Sequence, residues 1–426
     1  MKKTIFLILA GLCLAVAAIS WARTLAGGLP GPVYLQEVGG LLALLGFILL
    51  FFQYVLISRI KFIERGLGLD RLIDMHRALG VLILSAVTLH PLLILISERL
   101  QGYSTPIGFI KIVGVIALLT IWVTAGSALI YGKISLRYES WKRIHRAGYI
   151  ILPLAFFHSL FLGSTLQPGF LRVFWVVIGL CYAAVLAARI YKHVAVKRHP
   201  LRVSHIKQET HDTWSLDIEG DYPDYAPGQF MLLRLKIDGM VSAPHPFTIS
   251  SSPTRKGLSV CVKSVGDFTS RISENVQLEQ AFVDMPYGFF SFTNHDAERY
   301  IFIAGGIGIT PFLSMLRFMK DTTLNKEVIL IWGNKAKRDI AFEAEIESMA
   351  SQMPSIKVVH VLSREKEWPG EKGHIDTEKL KRYVGDFTKG EFFVCGPPRM
   401  MRDLEKALLA LSVKKGRIHT ERFSLH

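Results

Sequence analysis

Cysteine is scarce in this 426-residue chain: Cys13, Cys181, Cys261 and Cys395 fall two to each half with no pairing pattern. That excludes a disulfide framework as the basis of the fold. The motif C-x-x-C-H is absent, so no group can be held through that motif's thioether bonds. Acidic residues are outnumbered, 35 Asp and Glu against 50 Lys and Arg, for a formal charge of +15. Charge of either sign thins out in three short stretches of the first half: Arg23 stands alone in one, Arg99 is the basic residue of another, and residues 163–169 contain no Lys or Arg.

The charge that is present lies between long apolar runs. Six such runs cover residues 4–22, 34–57, 76–97, 107–131, 145–162 and 170–191. Most reach the roughly 20 residues needed to cross a bilayer, with the first and fifth at the short end. Arg59, Lys61, Arg65, Arg71 and Arg77 form one basic segment, Lys133, Arg137, Lys142, Arg143 and Arg146 a second, and the run from Arg189 to Arg202 a third. The positive-inside rule puts these segments, the N-terminus and the C-terminal half in the cytoplasm of a cell membrane. They account for most of the excess charge, so nucleic acid is not implied as a partner, whereas membrane lipid is. The first run, from Lys2-Lys3 to Ser20-Trp21-Ala22, also fits a cleaved signal peptide. Under either reading the last span ends inside.

Within these runs, His76 and His90 are 14 residues apart, and His145 and His158 are 13 apart. Both spacings are close to four helical turns, so each pair is expected on one helix face, its members separated by about 20 Å along the axis. Two such helices side by side offer a histidine pair near each membrane surface. Ionisable residues inside a membrane are costly and mark function, and imidazole is a common axial ligand to iron. The expectation is two bis-histidine haems of b type. Hydrogen bonding within the bundle is the alternative reading of each histidine. Zinc is disfavoured because the four lie at two depths.

After Lys197-Arg198-His199-Pro200 the pattern shortens. Segments 201–207, 213–218, 230–236, 246–250, 258–264 and 280–284, separated by Gly, Pro and Asp, predict six antiparallel strands in a small barrel. From Tyr300 strand and helix alternate. The strand Tyr300–Ala304 runs into Gly305-Gly306-Ile307-Gly308-Ile309, then Thr310 is expected to cap a helix with Pro311 in its first turn. The glycines, without the third of G-x-G-x-x-G, would let a pyrophosphate approach the helix N-terminus. Further strands at 328–332, 357–361 and 391–395 complete a parallel sheet, whose carboxyl ends bring Gly305–Gly308, Gly333-Asn334 and Cys395-Gly396 to one side. After the second strand, Asn334-Lys335, Lys337 and Arg338 stand where an NAD site has a ribose-binding acid, which favours NADPH without excluding NADH. A solvated basic turn is the alternative.

Together these features resemble the NADPH oxidase and ferric reductase superfamily over nearly the whole chain. The resemblance implies a six-helix transmembrane haem bundle (1–195), an antiparallel β-barrel FAD domain (200–295) and an α/β parallel-sheet NAD(P)H-binding domain (298–426). It pairs His76 with His145 on the inner haem and His90 with His158 on the outer. His245-Pro246-Phe247-Thr248 is similar to the family's flavin motif, with Ser250-Ser251 following on, although His245 stands where many soluble reductases have Arg. Val262-Lys263-Ser264, Gly266-Asp267-Phe268-Thr269 and Pro286-Tyr287-Gly288 resemble the adjoining flavin-phosphate and loop segments. Cys395-Gly396-Pro397-Pro398 resembles the nicotinamide-side motif, and Glu421-Arg422-Phe423 the terminus whose aromatic ring shields the flavin, here followed by three more residues. Thr248, Cys395, Glu421 and Phe423 are thereby implied at the reacting centre. The implied activity is NAD(P)H oxidation through FAD and two haems to a small acceptor outside, dioxygen giving superoxide or else a ferric chelate. A haem-binding membrane sensor or anchor and a quinol-fed cytochrome are the rival readings.

Overall fold

The computed structural model describes residues 2–25, 28–58, 60, 63, 69–131, 138–163, 166, 169–272 and 278–421, without the side chains of 2, 3, 69, 70, 138, 139 and 279. The basic residues Arg59, Lys61, Arg65, Lys133 and Arg137 lie outside them. The chain divides into two compact units, residues 1–192 and 193–426.

The first unit is helical: α1 (Lys2–Thr24), α2 (Gly31–Ile57), α3 (Leu69–Leu100), α4 (Phe109–Ile130), α5 (Tyr138–Arg146), α6 (Ile151–Leu162) and α7 (Phe170–Arg198). Among the described residues, six stretches are long and apolar enough to cross a membrane, the fifth being Ser140–Leu162. The chain is therefore a multi-pass membrane protein. Helix α2 is central, with Leu44, Phe47, Ile48 and Phe52 buried. The Phe47 ring stacks on Trp175 of α7 at 4.4 Å, and the Trp175 indole donates to Ser159 Oγ on α6 at 2.9 Å. Outward, α4 exposes Ile112, Val115, Ile116, Leu119 and Val123, the apolar face that lipid requires.

The fifth span is not one α-helix, which corrects the single-helix expectation for His145 and His158. A 3-10 turn, Ala147–Ile150, separates α5 from α6. The cause is local. Pro153 has no N–H for the carbonyl four residues back, and that carbonyl, of Tyr149, accepts instead from the Tyr182 hydroxyl at 2.6 Å. The Gly148 carbonyl accepts from the Tyr54 hydroxyl.

The second unit opens with β1 (Leu201–Thr210), β2 (Thr213–Glu219), β3 (Phe230–Ile237), β4 (Met240–Val241), β5 (His245–Thr248), β6 (Leu258–Lys263) and β7 (Leu278–Tyr287). Seven strands form, not six, because Met240–Val241 returns on β3 as a short hairpin. The order β4-β3-β7-β1-β2-β6, with β5 on β3 and Ile249 bridged to Val260 of β6, closes the barrel. Alternation along the strands puts Leu216, Ile218, Met231, Leu233, Val260 and Val262 in its core.

The chain continues as β8 (Arg299–Gly305), α8 (Thr310–Asp321), β9 (Glu327–Asn334), α9 (Glu343–Gln352), β10 (Ile356–Leu362), β11 (Glu371–Lys372), α10 (Thr377–Val384), β12 (Glu391–Cys395), α11 (Pro398–Ala410) and β13 (Ile418–Glu421). The parallel order is β11-β10-β9-β8-β12-β13. From β8 the chain builds outward to β11, then returns to the other side of β8. Strand order thus reverses between β8 and β12, and the crevice at their carboxyl ends is where such sheets take ligands.

Candidate functional site

In the helical unit the four histidines converge in two pairs. The ring centroids of His76 and His145 are 6.0 Å apart and those of His90 and His158 are 6.4 Å apart. An imidazole bound through one nitrogen at about 2 Å has its centroid roughly 3.2 Å from the metal, so two opposed ligands stand about 6.3 Å apart. Both pairs match that span. Their orientation is fixed from behind: His90 Nδ1 lies 2.9 Å from the Gly39 carbonyl oxygen, His158 Nδ1 2.9 Å from that of Ile110, and His145 Nδ1 3.2 Å from that of Thr124. An Nδ1–H given to a carbonyl leaves Nε2 bare for a metal. His76 differs, because its Nδ1 is buried with no partner among the described residues while its backbone carbonyl accepts from Gln53 Nε2 at 2.8 Å. These residues fit a haem at each depth.

Close helix approach makes those bonds possible. A Cβ on Gly39 would lie 3.1 Å from the His90 carbonyl oxygen, and one on Gly114 would enter the His158 ring, 3.0 Å from Cγ and nearer still to Nδ1 and Cε1. Gly39, Gly114, Gln53 and the carbonyl of Thr124 are not apparent in the sequence, since only pairing across helices reveals them.

In the second unit the flavin-like residues gather on one side of the barrel. The register sets Thr248 opposite Phe230 and His245 opposite Leu233. The His245 imidazole stacks on Phe268 at 4.1 Å with planes 7° apart, and Phe247 lies 6.4 Å from the same ring. Pro246, half-buried, continues β5. Gly266 opens the turn below Phe268, where the Thr269 hydroxyl oxygen accepts from the N–H groups of Val265 and Gly266 at 3.0 and 3.1 Å. Those two donors are thereby taken. Ser250 Oγ is buried without a partner among the described residues, an orphan a bound cofactor would satisfy. Ser251 is instead occupied: its hydroxyl meets Tyr225 at 2.9 Å and the Ser259 N–H at 3.0 Å, and its carbonyl accepts from Ser314 Oγ of α8 at 2.7 Å. Val262 points into the core and pairs in register with Trp214 of β2.

Arg317 of α8 fastens the two folds of this unit. It donates to both carboxylate oxygens of Glu345 at 2.7 Å and to the Ser250 carbonyl at 2.9 Å. Burial, the largest single effect, would raise the Glu345 carboxyl, but the Arg317 bonds together with the charges of Arg317, Arg255 and Lys207 turn the net shift downward.

At the crevice, Thr310 corrects the capping expectation. The helix begins at Thr310 itself, after the 3-10 turn Gly306–Ile309, and its hydroxyl donates to the Ile307 carbonyl at 3.1 Å. Pro311 takes the first turn as expected. Gly306, at φ +53°, supplies a left-handed turn with open space around it. Gly305, Gly308 and Gly396 have another task, because β8 and β12 meet there. A Cβ on Gly308 would lie 2.7 Å from the Cys395 carbonyl carbon, one on Gly305 2.8 Å from Pro397 Cδ, and one on Gly396 3.1 Å from the Gly305 Cα.

Cys395 is fully buried and pairs in register with Glu421 of β13. Burial, and then the Glu421 charge, push its thiol well above the usual range, so it stays protonated. The Glu421 carboxylate also abuts the barrel, where a Cβ on Gly288 would stand 2.5 Å from Oε1 and 2.9 Å from Phe230. Thr248, Cys395 and Glu421 are therefore brought toward one junction, while Arg422 and Phe423 lie outside the described residues.

Beyond β9 a cleft of about 970 Å³ is lined by Lys335, Arg338, Arg364 and Lys263 among others. Lys263 is held at 3.1 Å by Asp212, whereas Lys335, Arg338 and Arg364 have no carboxylate partner among the described residues. Asn334, at its edge, is buried with both amide atoms unpartnered among them. Arg364, from the β10 end, is a further anion-binding candidate that the sequence analysis missed.

Residues 42–156 match the ferric reductase like transmembrane component, 199–310 an FAD-binding domain, and 302–406 the oxidoreductase NAD-binding domain. The glycine betaine monooxygenase reductase subunit of Chromohalobacter salexigens is 31% identical over 237 residues, 53% of this chain and 64% of that protein. The chain thus spans under two thirds of that relative. The sulfhydrogenase 2 subunit gamma of Pyrococcus furiosus is 30% identical over 209 residues, 46% of this chain and 70% of the relative. Among solved structures, the ferredoxin NADP+ reductase of Neisseria gonorrhoeae with bound FAD and NADP has 19% identity and a TM-score of 0.47, covering 52% of this chain and 97% of that one. Fold, site and matches define an NAD(P)H-dependent oxidoreductase with an FAD-binding domain, built into a membrane. The combination of these three domains in one chain matches the architecture of the NADPH oxidase and ferric reductase superfamily.

Proposed function

We propose that this protein oxidises NADPH, or NADH, on the cytoplasmic side of the cell membrane and delivers electrons to dioxygen on the outer face, where superoxide forms. The observation that carries the reading is the pair of imidazole couples, each spaced as two opposed ligands of one metal, on the chain that also bears the flavin and nucleotide modules. Bound FAD would take up the hydride pair and release it singly, and bound haems would carry the single electrons across the bundle.

The chain's own residues do the rest. His76 with His145, and His90 with His158, hold Nε2 toward each metal, backed by carbonyls for three of the four. Pro246, Phe247 and Thr248 flank the flavin ring, Ser250 offers it a hydroxyl, and the open left-handed turn at Gly306 admits the pyrophosphate of the nucleotide to the N-terminus of α8, while Gly305 and Gly308 let β8 and β12 close beside it. Asn334, Lys335 and Arg338, with Arg364, receive its ribose and 2′-phosphate. Cys395 and Pro397 bound the nicotinamide, with Cys395 neutral and so contributing shape rather than charge. Glu421 braces the junction, and Phe423 is assigned to cover the flavin until nicotinamide arrives.

His90 and His158 would together hold the outer haem, which would supply one-electron transfer to a small acceptor such as dioxygen. Ferric chelate is the second acceptor, favoured by the match to the ferric reductase like component. The outer segment after α3 suits a small acceptor over a docked protein: Glu98 accepts from the Thr105 hydroxyl and lies 3.7 Å from Lys111 Nζ, which folds it back on itself.

The test is an anaerobic optical spectrum of the purified protein after NADPH, followed by superoxide-dismutase-sensitive dye reduction in air and ferric chelate reduction without oxygen. Bleached flavin, reduced haem bands and superoxide are expected. Ferric reduction without superoxide replaces the oxidase reading by the reductase one. Unchanged flavin and haem bands leave a sensor or anchor.

A further inference from the structure

Away from the junction, His295, Glu391 and His419 come together from three distant parts of the second unit. Their ligand atoms all lie within 4.8 Å of one another. His295 follows the short turn Phe292–Asn294 that ends the barrel. Its N–H donates to the Phe292 carbonyl at 2.9 Å and its carbonyl accepts from the Tyr300 hydroxyl at 2.9 Å, so its backbone is fixed on both sides. Glu391 opens β12, and His419 lies on β13 opposite Phe393. With a side-chain period of two, Glu391 and Phe393 share a sheet face.

Phe393 forms the apolar floor, its ring 4.6 Å from His419 and 5.9 Å from His295. His419 Nε2 is 2.7 Å from Glu391 Oε2, and these two side chains are only 14% and 19% exposed. That hydrogen bond accounts for two of the three groups. It leaves the His295 ring 3.7 Å from the His419 ring and tilted 33° to it, with no hydrogen bond to its own ring nitrogens among the described residues. Two imidazoles and a carboxylate converging over an aromatic floor are a donor set for a first-row divalent cation, with a fourth position for water.

We propose that His295, Glu391 and His419 form a site for a divalent transition-metal cation of the zinc type, which ties the barrel's exit turn and strand β12 to β13, the strand that ends at Glu421. The cation has no part in electron transfer and acts by fixing β13. This site is independent of the histidine pairs in the helical unit.

The probe is zinc chloride added to the full-length, haem- and flavin-replete protein after chelator treatment, with retention measured against a chromophoric zinc chelator and cobalt(II) absorption as the signature of nitrogen and oxygen ligation. One zinc per chain is expected. Losing even an outer partner of a metal ligand weakens a site about 10–100-fold, so Glu391→Gln and His295→Ala should each weaken binding by at least about tenfold. The exposed His374→Ala should leave it unchanged. Glu391→Gln preserves size and hydrogen bonding, and its flavin and haem spectra report an intact fold. Zinc should also slow amide exchange across 418–421. Failure to retain zinc, equal retention in Glu391→Gln and His374→Ala, or exchange in 418–421 indifferent to zinc would overturn the proposal.

Discussion

Gly114 on α4 tests whether the outer histidine pair is held as the geometry says. In Gly114→Ala the new methyl carbon would stand 3.0 Å from His158 Cγ and nearer to Nδ1 and Cε1. Carbon atoms pack at about 3.5–4.0 Å, so the imidazole must retreat by roughly an ångström. The Nδ1 contact to the Ile110 carbonyl begins at 2.9 Å. A further ångström takes it past about 3.5 Å, where a hydrogen bond no longer exists. Loss of that bond costs about 1 kcal/mol, and the groups that hydrogen-bond a metal-bound histidine from behind are worth about 10–100-fold in affinity. The same substitution at Gly126, on the same helix, meets nothing within 4 Å. Haem content per chain, measured by pyridine haemochrome against FAD content, should fall from two toward one in Gly114→Ala and remain two in Gly126→Ala. NADPH-dependent flavin reduction should survive in both. Two fully retained haems with an unshifted spectrum in Gly114→Ala would refute the bracketing argument, because the crowded ring could not then be a ligand.

Three further outcomes are expected. Replacing Lys335 and Arg338 by Ala should weaken NADPH by about tenfold or more, since a bond to a charged group is worth about 1.5–3 kcal/mol, and should leave NADH nearly unchanged in steady-state KM; equal losses would argue against a 2′-phosphate site. Gly308→Ala, whose Cβ would meet the Cys395 carbonyl, should slow flavin reduction by NADPH while haem content holds, and Gly416→Ala, with nothing within 4 Å, should not. The Arg255 bonds pull the Asp321 carboxyl from 3.8 down to about 2, overcoming a smaller effect of burial. The folded pKa is the lower one, so the pair's small contribution is present above about pH 4 and fades as pH falls toward 2. Asp321→Asn should flatten that acid limb in a pH series of thermal FAD release.

Much of this architecture was legible because membrane spans and parallel strands announce themselves by length and by apolar runs. The four histidines were legible for the same reason, as rare polar residues inside such runs. The 3-10 break at Ala147–Ile150 was not, because it depends on Tyr182, distant in sequence, taking the Tyr149 carbonyl that Pro153 leaves free, and on Tyr54 reaching the carbonyl of Gly148. Thr310 misled for a related reason. A threonine before proline reads as a cap, yet the turn at Gly306–Ile309 is already helical enough that the hydroxyl bonds backward to Ile307. Arg364 and the trio of His295, Glu391 and His419 were invisible because strand order, not chain order, makes them neighbours.

Glycine shows the limit most clearly. In the sequence, Gly305, Gly306 and Gly308 suggest a loop opened for a pyrophosphate, but only Gly306 has the left-handed backbone and the empty surroundings of such a loop. Gly305 and Gly308 lack a side chain because β8 and β12 converge until Cys395, Gly396 and Pro397 fill that space. Gly39 and Gly114 do the same between helices, bringing a backbone against His90 and the ring of His158. In both units the missing Cβ sets how closely two elements approach, and that approach positions the reacting groups. A glycine's contribution here is therefore a distance between elements, which no local motif encodes.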